Sequence, residues 1–438
     1  MCMSDAGLFG AVEAGTSGAA ERRACGRVRV QRAERHQVEL RASSLDELLP
    51  DDHRARVIWE ALEGLDLSAF YAPVGSREGS AGRPAIDPRI LVSLWLYAAC
   101  EGVGSARELE RLCEQHAAYR WMCGGVSVNY HTLSDFRVGH SEALDELMTQ
   151  ILGALMHEGL LGMRRVAQDG MRVRGHAGAA SYRRVASLKE CLRAAKKQVQ
   201  AVKKQLGTES GRTLERHQAA KLRAAEERVV RVKKALAKLE EINAEKPKAE
   251  ASQTRVSTTD PECRVMKMAD GGWRPAWNIQ LATDVESRTI VGVRVIDKGN
   301  DQGQIEPMLE EIGRRTEKLP KEHLVDGGYL KLESIERAAQ SGVEVFAPVQ
   351  QPRRPDIDPT KPKVSDTPGV AAWRKRMGTA RGRAIYKDRA TIAEGTNADL
   401  RTWRGLAKIT VTGASKVLCV ALWSALAFNL MRWAELAA

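Results

Sequence analysis

The sequence has few of the features that mark a secreted, zinc-bound or membrane-spanning protein. Its eight cysteines include no Cys-x-x-Cys pair and no His/Cys cluster with zinc spacing. Met1–Ala20 lacks the basic start and long apolar run of a signal peptide. The apolar stretch Val417–Trp433 is interrupted by Ser424, Asn429 and Arg432, and it is shorter than the roughly 20 residues that a span needs. We therefore expect reduced thiols, a cytoplasmic protein without a membrane partner, and a buried C-terminal helix.

Aromatic residues are scarce at 5%, but 438 residues that are 43% hydrophobic can bury a substantial core and form two or three domains. The net charge of +12 favours a polyanionic partner, nucleic acid before a membrane surface. From Arg183 to Lys238, 17 Lys and Arg residues stand against 5 Asp and Glu residues, so this segment holds an excess equal to that of the whole chain. A solvated helical face and a DNA-contacting face fit that excess equally well.

The first third of the chain is predicted to be helical, after an irregular extension at residues 1–40. Asp87-Pro88 opens an apolar run typical of a core helix, and Ser105 with Glu108 forms a capping box before another. Helices joined by turns in a basic protein are a weak signal of a DNA-reading module. We assign residues 41–163 to a helical DNA-binding domain.

Two heptad series follow and interrupt the α/β part of the chain. Apolar residues step by three and four in two arms separated by Gly207–Gly211. The first arm is Leu188, Leu192, Ala195, Val199, Val202 and Leu206, and the second is Leu222, Ala225, Val229, Val232, Leu236 and Leu239. They predict an inserted basic coiled-coil hairpin at residues 185–245, with arms of roughly 27–28 Å. Pairing of the arms with a second subunit is the alternative.

Residues 164–184 and 246–438 are predicted to form an α/β domain around this insertion. Arg165–Asp169 is a strand candidate, Trp277–Thr283 and Thr289–Val295 form a hairpin, and shorter strands end at Asp326 and near Val349. Helices are predicted between and after the later strands. Without the insertion the order is βββαβαβα, which predicts a mixed sheet with right-handed crossovers.

Two aspartates follow apolar strands and precede glycines, namely Asp169 and Asp326. Each taken alone fits a turn, because Asp-Gly is the commonest turn dipeptide. Together they suit phosphodiester chemistry, which uses two Mg²⁺ ions about 3.5–4 Å apart and oxygen ligands at strand ends. Asp270 also precedes two glycines, but no apolar strand comes before it, so a turn is favoured there.

A third carboxylate is expected from a late helix, and Glu394 is the candidate. Lys387, Glu394 and Arg401 are spaced by seven and share one helical face, near Asn397. A basic run lies upstream, consisting of Arg374, Lys375, Arg376, Arg381, Arg383, Lys387 and Arg389 with the single acid Asp388. A carboxylate among cations suits an enzyme that grips phosphates, although an exposed helix with ion pairs has the same pattern.

These motifs together resemble bacterial insertion-sequence transposases of the DDE class, most closely the insertion-sequence family numbered eleven-eighty-two. The resemblance runs from about Leu45 to Trp433 and includes Val166–Met171, Thr258–Pro261, Met266–Trp273, Leu281–Asp284, Asp301–Gln304, Leu324–Tyr329 and Tyr386–Glu394.

The resemblance implies a ribonuclease-H-like catalytic fold in which Asp169, Asp326 and Glu394 are catalytic and hold two Mg²⁺ or Mn²⁺ ions. It implies nicking at the element's ends, attack of a 3′-hydroxyl on target DNA, and a homo-oligomer on the DNA ends. The partners would be terminal inverted repeats and target DNA. The family's Tyr and Arg pattern is approximated by Tyr386 and Arg389. We add the neighbouring cations as candidate DNA contacts: Lys387, Arg401, Arg374, Lys375 and Arg376.

Two other functions fit the same residues. A related nuclease without strand transfer would use the same carboxylates. An inactive relic would only bind DNA, although no motif carboxylate is missing here.

Overall fold

The N-terminal part consists of helices, as the sequence predicts. In the computed structural model, residues 36, 38, 42–77, 79, 84–205, 212–351 and 358–437 are described, so the predicted extension at residues 1–40 lies almost wholly outside them. The helices are α1 Arg54–Ala61, α2 Ser68–Tyr71, α3 Pro88–Cys100, α4 Ala106–Gln115, α5 Ala117–Cys123, α6 Tyr130–Gly139 and α7 Ser141–His157, with 3-10 turns at Asp46–Leu48 and Leu62–Gly64.

Two predicted helix starts are confirmed by their caps. The Asp87 carboxylate accepts a hydrogen bond from the Arg89 backbone N–H, with Pro88 in the first turn of α3. The Ser105 hydroxyl accepts one from the Glu108 backbone N–H at the start of α4. Helix α3 is buried along almost its whole length, so it forms the centre of the helical core.

A six-stranded mixed sheet carries the second part of the protein. Its strands are β1 Arg165–Arg174, β4 Arg264–Lys267, β5 Trp273–Asp284, β6 Ile290–Ile296, β7 Glu322–Leu324 and β8 Glu344–Phe346. Strand β5 pairs antiparallel with β1 on one side, and with β4 and β6 on the other. Strand β7 is parallel to β1, and β8 is parallel to β7. The predicted hairpin and parallel crossovers are therefore both present.

Strand β1 is longer than the predicted strand, so Asp169 lies in its middle rather than at its end. Pairing with β7 stops at Ala167 and Leu324, and the next partner on that edge is Lys408, which forms a bridge with Arg174. The same edge of β1 is thus unpaired around Asp169. Asp326 follows the end of β7 and caps the 3-10 turn Gly327–Tyr329, where its Oδ1 accepts the Gly328 N–H at 2.7 Å.

The inserted segment contains two long helices, α8 Val185–Gln205 and α9 Arg212–Ala244, followed by α10 Lys248–Ala251. They are flanked by the short paired strands β2 Tyr182–Arg183 and β3 Val256–Ser257, with a 3-10 turn at Ala179–Ser181. The helices pack together, and Lys203 pairs with Glu226 across them at 3.3 Å. Leu206 and the predicted loop Gly207–Gly211 lie outside the described residues. Helix α9 is longer than the predicted arm.

The remaining helices are α11 Ile305–Thr316, α12 Leu332–Gln340, α13 Pro368–Gly378, α14 Ala380–Thr402 and α15 Ala414–Ala437. Within the described residues, α15 is the one helix long and apolar enough to cross a membrane by length and composition, but 72% of its apolar window is buried inside the protein. It packs against α3, α7 and β6. The predicted buried C-terminal helix is therefore present.

Candidate active site

The carboxylates of Asp169 and Asp326 both lie next to the guanidinium group of Arg389. An Arg389 Nη2 nitrogen lies 2.6 Å from Asp169 Oδ1 and 3.7 Å from Asp326 Oδ2. The two carboxylate oxygens are therefore no farther apart than the sum of these distances. Asp169 is 17% exposed and Asp326 38% exposed, so the pair opens to solvent on the side of Asp326. Two carboxylates that are 157 residues apart in the chain thus meet at the unpaired edge of β1.

Helix α14 presents its polar side chains to this edge at a spacing of four residues. Arg389, Ala393 and Asn397 fall on one face, Ala393 is buried, and Asn397 Nδ2 donates to Asp169 Oδ2 at 2.9 Å. Buried Ile385 and Ile392 seat the helix in the core cluster beside the sheet. Because Asp169 receives a donor on each oxygen, its carboxylate is held in one orientation.

The charge state of Asp169 reflects a balance of opposing effects. Burial raises the pKa of this carboxyl above its usual range, the Arg389 guanidinium lowers it, and the negative charges of Asp326 and Asp301 raise it again. A cation beside Asp169 therefore favours its ionised form. Arg389 is that cation in this structure.

A second polar cluster, the amide network, lies on the other side of β1 from Asp169. Gln280 Nε2 and Asn278 Nδ2 donate to Asp301 Oδ1 at 2.6 and 2.7 Å. Gln168 Nε2 donates to Gln280 Oε1 at 3.1 Å, and Gln168 Oε1 faces His323 Nε2 at 2.9 Å. Gln168, Gln280, Asn278 and His323 are all fully buried, so these bonds satisfy polar groups that would otherwise be costly to bury.

Gly170 allows this network to approach β1 closely. A Cβ added at Gly170 would lie 2.3 Å from Asp301 Oδ1 and 2.4 Å from Gln280 Nε2. Asp301 does not cap α11, since the residue before that helix is Gln304, whose side chain makes no capping bond. The Asp301 carboxylate instead accepts hydrogen bonds from the side-chain amides of Asn278 and Gln280 on β5.

Two further titratable groups in the network are held neutral by burial. Burial raises the pKa of Tyr329 well above its usual value, and its hydroxyl donates to Gln280 Oε1 at 2.5 Å. Burial lowers the pKa of His323 to about 4. Tyr329 follows Asp326 by three residues, so its hydrogen bond ties the turn that carries Asp326 to β5.

Glu394 lies on α14 but does not join the two aspartates in this conformation. Its side chain is exposed, and among the described residues it takes part in no hydrogen bond or ion pair. Lys387 and Arg401 are also exposed, so the three residues spaced by seven share the solvent face. Asn397, one turn after Glu394, points instead to Asp169.

The other predicted DNA contacts differ in how available they are. Arg374 is buried, with Nε 2.8 Å from Asp366 Oδ2. Arg376 donates to the Val345 carbonyl and to Glu344 at 3.1 Å each, so both guanidiniums serve contacts within the protein. Lys375 is exposed and Tyr386 half-buried.

Sequence reasoning missed the role of Asn397 and of Asp301. The Arg389, Ala393 and Asn397 spacing of four was the available signal for a face directed at the sheet. For Asp301 there was no local signal, because its partners lie on another strand.

The arrangement fits a hard divalent cation, although its oxygens are not yet gathered into a full ligand set. Among the described residues, no three His, Cys, Asp or Glu side chains form a group that could hold a metal ion. Two carboxylates nevertheless meet at one cationic nitrogen, and Asn397 Oδ1 is buried without a hydrogen-bond partner. Mg²⁺ prefers such oxygens and keeps several of its waters.

The fold and the site together define a class of protein. It is a mixed α/β protein with a helical N-terminal region and two carboxylates at a sheet edge. Two family models match the chain: a transposase domain at residues 43–139 and a transposase DDE domain at residues 363–434. Comparison with curated proteins and with solved structures gave no match. The two matches indicate a DDE-type transposase. They do not test membership of the family numbered eleven-eighty-two, which stays a prediction.

The matched ranges contain some residues of the candidate site and not others. Arg389, Glu394 and Asn397 lie within the DDE match, whereas Asp169 and Asp326 lie outside both matches. A DDE domain implies a ribonuclease-H-like fold, DNA as partner and, in general, divalent metal ions.

Proposed function

We propose that this protein is a DNA transposase that cuts DNA at the ends of an insertion sequence and joins the freed 3′-hydroxyl to target DNA. Asp169, Asp326 and Glu394 are its catalytic carboxylates, the two aspartates at the edge of a ribonuclease-H-like sheet and Glu394 on helix α14. The observation that carries the proposal is the approach of Asp169 and Asp326 to one Arg389 nitrogen. A protein that brings two acids together beside a cation gains a site for phosphate chemistry at a cost in stability.

The reaction consists of two displacements at phosphorus. In hydrolysis at the element's end, water forms a P–O bond as the bond from phosphorus to the 3′-oxygen breaks, which leaves a 3′-hydroxyl and a 5′-phosphate. That 3′-hydroxyl then attacks a target phosphodiester, so that one P–O bond forms as another breaks and a target 3′-hydroxyl leaves. Two Mg²⁺ or Mn²⁺ ions held by the three carboxylates would activate the attacking oxygen and stabilise the leaving oxygen.

The protein's own groups keep the carboxylates ready for this chemistry. Arg389 offsets the repulsion between Asp169 and Asp326, and Asn397 fixes the second oxygen of Asp169. Tyr329 anchors the turn that carries Asp326. Glu394 supports the proposal by position, since residues three apart on a helix lie about 5–6 Å from each other and Asn397 already touches Asp169.

The remaining assignments belong to the same proposal. Residues 41–163 bind the element's inverted repeats, residues 185–245 form a basic coiled-coil hairpin, and residues 164–184 with 246–438 form the catalytic domain. The protein acts as a homo-oligomer when bound to DNA ends. Tyr386, Lys387, Arg401 and Lys375 are the candidate DNA contacts that remain accessible, whereas Arg389 is 12% exposed and pairs with Asp169.

Three single variants test the catalytic assignment: Asp169→Asn, Asp326→Asn and Glu394→Gln. Each removes one negative charge with little change in shape, so each should abolish metal-dependent nicking of a plasmid that carries the element's ends while DNA affinity is kept. Glu310→Gln is the matched control, because Glu310 is exposed on α11. A Glu394→Gln protein that nicks as fast as the control would remove Glu394 from the site.

Strand transfer is tested separately with a pre-cut end and a target plasmid. Joined product supports the transposase. Nicking without joining identifies the nuclease, and DNA binding without either activity identifies an inactive relic.

A further inference from the structure

Two neighbouring cavities form one groove along the base of the sheet. The first, of about 740 Å³, lies between helices α4 and α6 and the segment that joins α14 to α15. The second, of about 390 Å³, lies between the long helices α8 and α9 and the residues after β3. His176 and Thr412 line both cavities, so the two adjoin. The groove thus touches the N-terminal helices, the sheet region and the inserted hairpin.

The groove carries mostly positive charge. Arg107, Lys408 and Lys416 are exposed cations in the first cavity, where Asp135 is the acid in the lining. Arg228 and Arg231 line the second cavity, whose lining contains no acidic side chain. We call these five cations the groove cations.

The two lysines are free to bind an external anion. Among the described contacts, neither Lys408 nor Lys416 forms an ion pair or a side-chain hydrogen bond, although each is exposed. Arg107 lies over the Tyr130 ring at 4.9 Å, and Arg228 donates to Gln198 at 3.3 Å. These contacts orient Arg107 and Arg228 without neutralising them, whereas Arg231 pairs with Glu227 at 3.8 Å. Hydroxyls of Thr410, Thr412 and Thr259 add further donors along the groove.

The groove is connected to the carboxylates by strand β1. Lys408 forms a β-bridge with Arg174, the last residue of that strand, which lies five residues beyond Asp169. At about 3.3 Å per residue this is roughly 16 Å, or about five base pairs of a duplex at about 3.4 Å each. Arg401 lies along this interval, with Nη2 3.5 Å from the Arg172 carbonyl. The Arg172 side chain points to the other side of β1, where Nη1 donates to the Lys267 carbonyl at 3.1 Å. One exposed cation, Arg401, therefore lies between the groove and the carboxylate pair.

We propose that this groove binds the backbone of a DNA duplex, and that the bound duplex places a phosphate at Asp169 and Asp326 about five base pairs away. The inference rests on the proposed function and adds to it the surface that holds the substrate. Cations drawn from three parts of the chain suit a long polyanion rather than one small phosphate. The lining is rich in hydroxyls and charges, which matches the phosphate contacts of DNA-binding proteins.

Salt dependence of DNA binding tests the groove without any catalytic step. The probe is a fluorescein-labelled duplex of about three helical turns, titrated by anisotropy in EDTA over a range of NaCl. Each lost phosphate contact reduces the magnitude of the negative slope of log K against log salt by about 0.9. Lys408→Gln with Lys416→Gln should therefore reduce that magnitude by about 1.8. Arg107→Gln with Arg228→Gln removes cations from the two ends of the groove and should lower it similarly.

The control is Lys318→Gln with Lys321→Gln, which removes the same charge from exposed lysines that do not line the groove. Its slope should equal that of the wild type. Unchanged slopes in both groove variants, or an equal drop in the control, would overturn the groove as the binding surface. A wild-type protein that does not bind the duplex would instead overturn the proposed function. The two groove variants alter separate residues, so misfolding of one, detected by circular dichroism, leaves the other to decide.

Discussion

Helices α14 and α15 are consecutive and nearly equal in length, yet they have different roles in the structure. Helix α14 has 23 residues, eight of them charged, and buries only a narrow stripe. Helix α15 has 24 residues, three of them charged, and is buried continuously from Cys419 to Leu430. The first presents polar groups to the carboxylates, and the second packs into the core. Helix α14 and all but the last three residues of α15 lie within the matched DDE domain.

The contacts of the two helices explain the difference. Asn429 on α15 bonds both backbone groups of Ile290, with Oδ1 accepting the N–H at 2.9 Å and Nδ2 donating to the carbonyl at 2.8 Å. Trp423 donates to the Arg137 carbonyl at 3.0 Å. Helix α15 thereby joins the sheet to the N-terminal helices. Helix α14 reaches β1 through polar bonds of Arg389 and Asn397, so stability should depend more on α15 and chemistry more on α14.

The largest effect on stability is expected from Asn429→Ala. The substitution leaves the buried N–H and carbonyl of Ile290 without partners, and each unsatisfied group costs about 1–3 kcal/mol. The free energy of unfolding should fall by about 2–6 kcal/mol in urea denaturation. Ser424→Ala is the control on the same helix, because it removes a hydroxyl donor and leaves no backbone N–H unpaired. Equal losses in the two variants would contradict the role given to α15.

A smaller loss is expected from Arg389→Gln on α14. Arg389 is 12% exposed and Asp169 17% exposed, so removing the guanidinium leaves a largely buried carboxylate beside Asp326 without its cation. We expect a loss of about 1–3 kcal/mol at neutral pH, against about 0.5 kcal/mol or less for exposed Lys387→Gln.

The pH dependence of Arg389→Gln has a definite sign. Burial already raises the pKa of Asp169, and Arg389 opposes that rise, so the variant raises the pKa further. A carboxyl with a raised pKa binds its proton more tightly in the folded state, so it gives greater stability as pH falls through that pKa. The gap between variant and wild type should narrow from neutral to acidic pH. A gap that widens would show that Arg389 does not stabilise ionised Asp169.

The sequence predicts local features of this comparison well and its long-range contacts poorly. The apolar run at Val417–Trp433 predicts α15, and heptad spacing predicts α8 and α9, because helical periodicity is encoded in neighbouring residues. The sequence also identifies Asp169 and Asp326, because each lies between an apolar strand and a glycine. The bonds of Asp169 to Arg389 and Asn397 span more than 200 residues, and no local period encodes them. The heptad spacing of Glu394 identified the solvent face of α14 instead.

The smallest of these effects on stability is expected from Asn397→Ala. One hydrogen bond to Asp169 Oδ2 is lost, and the unpaired Oδ1 of Asn397 disappears with it, so the unfolding free energy should fall by only about 1 kcal/mol. The rate of plasmid nicking should fall much more than this stability loss predicts, with DNA affinity unchanged, because Asp169 loses the donor that fixes its orientation. Thr396→Val is the neighbouring control, and it should leave nicking intact, since the one hydrogen bond of the Thr396 hydroxyl among the described residues goes to the Ile392 carbonyl. If both variants nick at the wild-type rate, the face of α14 directed at β1 is structural, and the contrast between the two helices reduces to a difference in burial.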